Sequence, residues 1–133
     1  EVAAIKKFCA DHSGTGRLSA ISSFLLERFG SGLVFEPDIL KGFATDSSNL
    51  PGRADALARP ASERECAAVL CACHAASVPV TVSGGKSNLT GSATPQGGVL
   101  LSTVKMVVPA ADIDLEAHTV TTSPGVILED LRN

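Results

Sequence analysis

Tryptophan and tyrosine are absent from this chain, and five phenylalanines make up its whole aromatic content. Without a row of rings there is no stacking platform for single-stranded nucleic acid. Neither sign of charge dominates: eleven basic residues stand against fourteen acidic ones, without blocks, for a formal net charge of -3. That excludes the basic stripe with which proteins track nucleic acid or an acidic membrane. No apolar run approaches the roughly 20 residues that span a bilayer, and residues 1–30 lack the apolar core of a signal peptide. Three of the four cysteines, Cys66, Cys71 and Cys73, share one short apolar stretch, which argues against a disulfide framework. The expectation is an intracellular, reducing compartment, the cytoplasm.

What is present is the make-up of a globular domain. In 133 residues, 44% hydrophobic and 19% charged, there is enough apolar material for a packed core. Ile5, Phe8 and Cys9 sit at helical spacing until Ser13-Gly14-Thr15-Gly16 breaks the pattern. A second helix is expected with Ser19 as N-cap, an apolar face of Ile21, Phe24, Leu25 and Phe29, and a stop at Gly30-Ser31-Gly32. Leu33-Val34-Phe35 reads as a short strand ended by Glu36-Pro37-Asp38, and residues 42–52 as an ordered polar loop. Residues 1–42 thus form a helical leader, distinct from residues 43–133.

The second region opens on the clearest local signal. Ser62-Glu63-Arg64-Glu65 is a capping box, in which Ser62 caps the amide of Glu65 and Glu65 reaches back; it predicts a helix from Glu63 to about Ala76. Val78, Val80 and Val82 alternate with Pro79, Thr81 and Ser83 as in a half-buried strand. Val99 to Ser102 is the next strand, Ile113-Asp114 and His118 to Thr122 suggest a hairpin, and Gly125 opens a last helix. The order implies an α+β fold, a small mixed sheet flanked by helices.

Between the two strands lies a glycine-rich loop, residues 83–98: Ser83-Gly84-Gly85-Lys86-Ser87-Asn88-Leu89-Thr90-Gly91-Ser92, then Ala93-Thr94-Pro95-Gln96-Gly97-Gly98. Glycines let the backbone approach a ligand closely and turn successive amides onto one anion. Ser87, Asn88 and Thr90 offer side-chain donors and Lys86 a charge, a set suited to a pyrophosphate. A long surface turn is the plain alternative, but structureless loops of this length are usually functional or disordered, and this one is bounded by apolar strands. Gly85-Lys86-Ser87 resembles the end of a P-loop, yet Val80 occupies the position of the required first glycine and no helical pattern follows. Gly14-Thr15-Gly16 lacks the third glycine and the preceding strand of a Rossmann turn.

Other chemistry-bearing residues have simpler readings. Cys66, Val69, Leu70, Cys73 and Ser77 repeat at the spacing of one helix face, so Cys66 and Cys73 read as small core residues. Cys71, Cys73 and His74 cannot converge on a metal from one helix, because positions i and i+2 point about 200° apart. His12 and His118 have no carboxylate or cysteine at metal-ligand spacing and are expected to face solvent. Asp112, Asp114 and Glu116 alternate through a turn, where solvation explains them as well as catalysis.

From Phe43 to Leu131 an ordered set of residues resembles the N-terminal half of the PCMH-type FAD-binding domain of the vanillyl-alcohol oxidase superfamily. Within it, the likeness is to FAD-linked oxidases such as the glycolate oxidase D-subunit and D-lactate dehydrogenases. The set comprises Thr45-Asp46, Arg59-Pro60 before the Ser-capped helix, and Val78-Pro79-Val80 leading into the glycine loop. It continues with Gly97-Gly98-Val99, Leu101-Ser102, and Ser123-Pro124-Gly125-Val126 with Leu128 and Leu131. The resemblance implies that Ser83 and the backbone of Gly84, Gly85, Lys86, Ser87 and Asn88 hold the FAD pyrophosphate. Leu89, Gly91 and Ser92 would line the cofactor, and Pro124 and Gly125 would lie near its adenosine or ribityl portion. Some relatives attach flavin through a histidine directly after the Gly-Gly pair; Lys86 stands there, which implies non-covalent FAD. Ser83 departs from the arginine that many of these oxidases carry. The family continues with a second flavin-binding stretch and a substrate domain, so the chain is expected to be the N-terminal portion of a larger flavin-dependent oxidoreductase, inactive alone. A 2-hydroxy acid such as D-lactate or glycolate is the implied substrate. The competing reading is a nucleotide-binding or interaction module without catalysis.

Overall fold

The computed structural model describes residues 1–108 and 112–132; Asn133, where the second expected region ends, lies outside them. In chain order they form α1 (Val2–Asp11), α2 (Leu18–Phe29), α3 (Pro37–Phe43), β1 (Ala56–Ala58), α4 (Glu63–Ala75), β2 (Val80–Ser83), β3 (Val99–Ser102), β4 (Asp112–Asp114), β5 (Thr119–Thr121) and α5 (Leu128–Arg132). The fold is α+β, as the order of sequence patterns implies. Among the described residues no helix is long and apolar enough to cross a membrane.

The central sheet is parallel, in the order β1-β3-β2, with Val99 registered against both Ala56 and Val80. All four residues of β3 are buried, which explains its unbroken apolar run: a parallel strand covered on both faces has no solvent side to alternate with. One face packs Val99 and Leu101 against Ala68, Val69, Ala72 and Cys73 of α4 and against Phe8, Ile21, Phe24 and Leu25 of α1 and α2. The other face buries Leu57 and Leu100 under Val34, Leu40 and Phe43. Each large aliphatic so buried contributes about 1.5–3 kcal/mol over leaving it exposed.

Parallel neighbours cannot be joined by a tight turn; the connection needs a dozen or more residues, usually including a helix. Helix α4 carries the chain from β1 to β2, past the place between them that β3 fills. Between β2 and β3 the crossover is the glycine-rich loop itself. Its length, taken from sequence as a sign of function, therefore has a topological cause as well.

Several local expectations change. Helix α2 starts at Leu18 behind Arg17, without a side-chain cap, so Ser19 lies inside the helix. The expected strand at Leu33-Val34-Phe35 is reduced to one antiparallel bridge from Val34 to Leu57. Pro37, at the N-terminus of α3, turns the chain into a helix that sequence reading missed. Strand β1 was missed too, because Ala56-Leu57-Ala58 has little intrinsic strand preference and is extended by its pairing with β3. The capping box forms, with the Glu65 amide donating to Ser62 Oγ at 3.2 Å. Glu65 reaches one residue further back than expected, accepting from the Ala61 amide at 2.8 Å, while its other oxygen takes the Ser31 hydroxyl. Leu70 is exposed, and the buried face of α4 is Glu65, Ala68, Val69, Ala72 and Cys73. His12 does not face open solvent but stacks on Phe8, with ring centroids 4.3 Å apart.

The hairpin of β4 and β5 forms as expected, pairing Ile113 with Val120. Asp114 Oδ1 accepts from the amides of Glu116 at 3.0 Å and Ala117 at 2.9 Å, so this carboxylate caps the turn.

Candidate functional site

Strands β2 and β3 end side by side, with Ser83 registered against Ser102. Beyond these carboxyl ends the chain leaves as Gly84-Gly85 from one strand and Thr103-Val104 from the other. The segment from Pro124 to Glu129 forms a further wall. Together they enclose a cavity of about 540 Å³. The crevice outside the carboxyl ends of parallel strands is where open α/β sheets bind ligands.

The loop presents main chain to this crevice. Lys86 adopts φ of 59°, in the left-handed region, and a left-handed residue within a turn is the geometry that points neighbouring amides to one side. Among the described residues, no acceptor takes the amide hydrogens of Gly84, Gly85, Lys86, Ser87 or Asn88. Ser83, buried at the end of β2, uses its carbonyl to accept from the Thr103 amide at 2.9 Å. The Ser102 hydroxyl beside it is buried and has no partner among the described residues. Gly125 closes the opposite wall and donates its amide to the Met106 carbonyl at 3.0 Å. A Cβ there would lie 2.8 Å from the carbonyl oxygens of both Met106 and Thr103, so only glycine fits.

The loop is held from outside. Asp46, 7% exposed, accepts from Asn88 Nδ2 at 2.6 Å and the Ala93 amide at 3.3 Å through one oxygen. The other oxygen takes the Ser48 amide at 2.9 Å and the Ser48 hydroxyl. One carboxylate thus grips both limbs of the crossover. The Ser48 hydroxyl, followed by the Ser48, Asn88 and Ala93 hydrogen bonds, outweighs the opposing effect of burial and holds the Asp46 pKa down to about 2. The Lys86 carbonyl accepts from the Ser47 amide and hydroxyl, both at 3.0 Å.

Of the residues singled out in sequence, Gly84, Gly85, Ser87, Pro124 and Gly125 line the cavity, and Ser83 sits at its edge. The rest do not line it. The Lys86 ammonium, expected to add charge at an anion, instead donates to the Gly42 carbonyl at 2.7 Å and lies 5.0 Å from the centre of the Phe43 ring. It faces the C-terminal turn of α3, where the helix dipole favours a cation. Asn88 turns inward to Asp46 and Ser92, and Thr90 bonds Ser92 at 3.1 Å, so these donors stabilise the loop itself. Leu89 is 76% exposed, and Gly91 packs beside Leu50. Among the described residues the cavity lining contains no lysine or arginine, and its one charged residue, Glu129, pairs with Arg132 at 3.0 Å. The loop's free main-chain amides, and not a cationic side chain, are the donors that the structure leaves beside the cavity. Sequence reading missed Thr103 and the anchoring role of Asp46; the Asp46-Ser47-Ser48 turn pattern was the available signal for the latter.

The family model described as "FAD binding domain" matches residues 54–133, more than half of the chain. Among solved structures, a xylooligosaccharide oxidase from Myceliophthora thermophila C1 in complex with xylobiose aligns at a TM-score of 0.58 and 19% identity. The alignment covers 81% of this chain and 23% of that one, so this chain spans less than a quarter of the oxidase's length. At that identity the likeness shows the fold. No curated protein matches the chain.

Proposed function

Since the chain belongs to the FAD binding domain family, we propose that its glycine-rich loop holds the pyrophosphate of a non-covalent FAD within a larger 2-hydroxy-acid oxidoreductase. The observation that carries the site is the run of five adjacent amides, Gly84 to Asn88, left without acceptors among the described residues at the carboxyl edge of the parallel sheet. Such amides supply hydrogen bonds and partial positive charge with little desolvation cost, which suits a doubly charged diphosphate. Gly85, beside which an added Cβ would meet nothing within 4 Å, leaves room for close approach. Pro124 and Gly125 shape the opposite wall against the adenosine or ribityl portion.

When bound, the flavin supplies the electron-accepting chemistry. The contribution of this chain is to bind and orient it: Asp46 fixes the loop, the loop fixes the amides, and Gly125 keeps the facing wall close. Lys86, whose ammonium is engaged with the Gly42 carbonyl, stands at the sequence position from which some relatives attach flavin by histidine, which supports non-covalent binding. The substrate class rests on the resemblance to glycolate oxidase and D-lactate dehydrogenase sequences. The similar oligosaccharide oxidase supplies the competing substrate class.

The test uses the full-length protein. It should be yellow, release its flavin to the supernatant on acid precipitation, and bleach anaerobically with D-lactate or glycolate. A colourless protein that ignores added FAD overturns the cofactor reading, and flavin retained in the pellet overturns the non-covalent one. Bleaching by xylobiose alone replaces the hydroxy-acid substrate with a sugar.

A further inference from the structure

Helix α1 lies alongside α4 and runs in the same direction. Glu1, at the start of α1, pairs with Arg64 in the first turn of α4. At the other end the amides of Gly14 and Gly16 donate to the carbonyls of Ala75 and Ala76 at 2.7 and 2.8 Å. Between these ties Cys9 Sγ reaches the main-chain oxygen of Cys71, 3.6 Å away. A short side chain touches the backbone of a neighbouring helix only where the facing residues are small, and α4 carries Ala67, Ala68, Cys71, Ala72 and Ala75 over this stretch.

Standard bond lengths then keep the Cα atoms of Cys9 and Cys71 within about 9 Å of each other. Disulfides bridge Cα separations of roughly 4.4–6.8 Å, so rotation of the Cys71 side chain with a small approach of the helices completes the geometry. Both thiols are free, Cys71 exposed and Cys9 partly covered. Burial, and next the proximity of Cys71, pushes the Cys9 thiol up from its ordinary value, which makes it the sheltered partner. Cys66 and Cys73 offer no equivalent pair, because seven helical positions separate them by about 10 Å and burial raises the Cys73 thiol to about 11.

We propose that Cys9 and Cys71 are a peroxide-sensitive thiol pair that oxidises to a disulfide tying α1 covalently to α4. The co-reactant is a hydroperoxide. The exposed Cys71 thiolate attacks one peroxide oxygen, the O–O bond breaks, and a sulfenic acid forms as hydroxide leaves. The Cys9 sulfur then attacks the Cys71 sulfur, the S–O bond breaks, and the departing hydroxide takes up the Cys9 proton as water. Two thiols and one hydrogen peroxide give one disulfide and two waters, with two electrons passing from sulfur to oxygen. A dithiol reverses the step.

The test treats the purified full-length protein with hydrogen peroxide in steps from one equivalent to a several-fold excess, blocks remaining thiols without reduction, and maps the digest by fragment ions. The expected product is an intramolecular Cys9–Cys71 linked peptide that dithiothreitol dissolves. It should come with a reversible rise in Tm on the order of 10 °C, because the bond closes a long loop in the unfolded chain. The double substitution Cys66→Ser and Cys73→Ser keeps the crosslink. Cys9→Ser removes it and lets Cys71 run on to the sulfinic acid. If Cys71 in the unmutated chain reaches the sulfinic acid while Cys9 remains alkylatable, or if crosslinks form only between chains, the proposal is overturned without recourse to any variant.

Discussion

The carboxylate of Asp46 and the side-chain amide of Asn88 meet at 2.6 Å across 42 positions of sequence. Neither side chain lines the cavity, yet between them they hold the loop that contributes Gly84, Gly85 and Ser87 to its wall. Asp46→Ala removes the acceptor shared by Asn88, Ala93 and Ser48. The expected result is a fall in Tm of roughly 5 °C and cleavage within residues 84–92 by a non-specific protease faster by about tenfold or more. Proteolysis at the wild-type rate would show that the loop stands without this anchor.

The same carboxylate gives the loop an acid limit. Its folded pKa is lowered from 3.8 to about 2, so its stabilising contribution is complete above the unfolded value and is lost as pH falls through the folded one. Carboxyl NMR of Asp46 should titrate near the lower value, and the Asn88 and Ala93 amide signals should shift over the same range. A midpoint in the ordinary carboxylate range contradicts the hydrogen-bonded arrangement.

Two glycines separate folding from binding. Gly125→Ala places a methyl carbon 2.8 Å from two backbone oxygens that cannot swing aside, and should cost about 1–3 kcal/mol. At Gly85 the same methyl meets nothing within 4 Å, so Tm should stay within about 1 °C. FAD affinity of the full-length protein, read by fluorescence titration, should nevertheless drop about tenfold or more for Gly85→Ala, because the methyl occupies the approach to the loop amides. Undiminished affinity would remove Gly85 from the binding surface.

Lys86 gives the opposite contrast. With its ammonium turned to Gly42 and Phe43, Lys86→Met should change the FAD dissociation constant less than about threefold while weakening the contact between the loop and α3. A loss of about a hundredfold would mean that the ammonium leaves α3 for the diphosphate.

At the start of α4, Ser62→Ala removes the acceptor of the Glu65 amide and should cost about 1 kcal/mol in urea unfolding. Glu65→Ala should cost more, about 2 kcal/mol, because the Ala61 amide and the Ser31 hydroxyl lose their acceptor together. Equal costs would mean that the carboxylate adds nothing beyond an ordinary helix residue.

By itself the sequence determined what near neighbours decide. Ser62 and Glu65 mark the start of α4, glycines mark the bends, and the apolar run of Val99 to Leu101 marks a strand, because caps, turns and periodicity act over a few residues. The tertiary structure decided the rest. Ala56-Leu57-Ala58 became a strand through β3, and parallel pairing made the glycine-rich stretch a crossover. The Lys86 ammonium went to α3 and not to the cavity, while Asp46 became the loop's anchor and Cys9 came to touch Cys71. Each of these depends on groups brought together from distant parts of the chain, and a pattern of adjacent residues carries no record of which distant donor will meet which acceptor until packing has fixed the backbone between them.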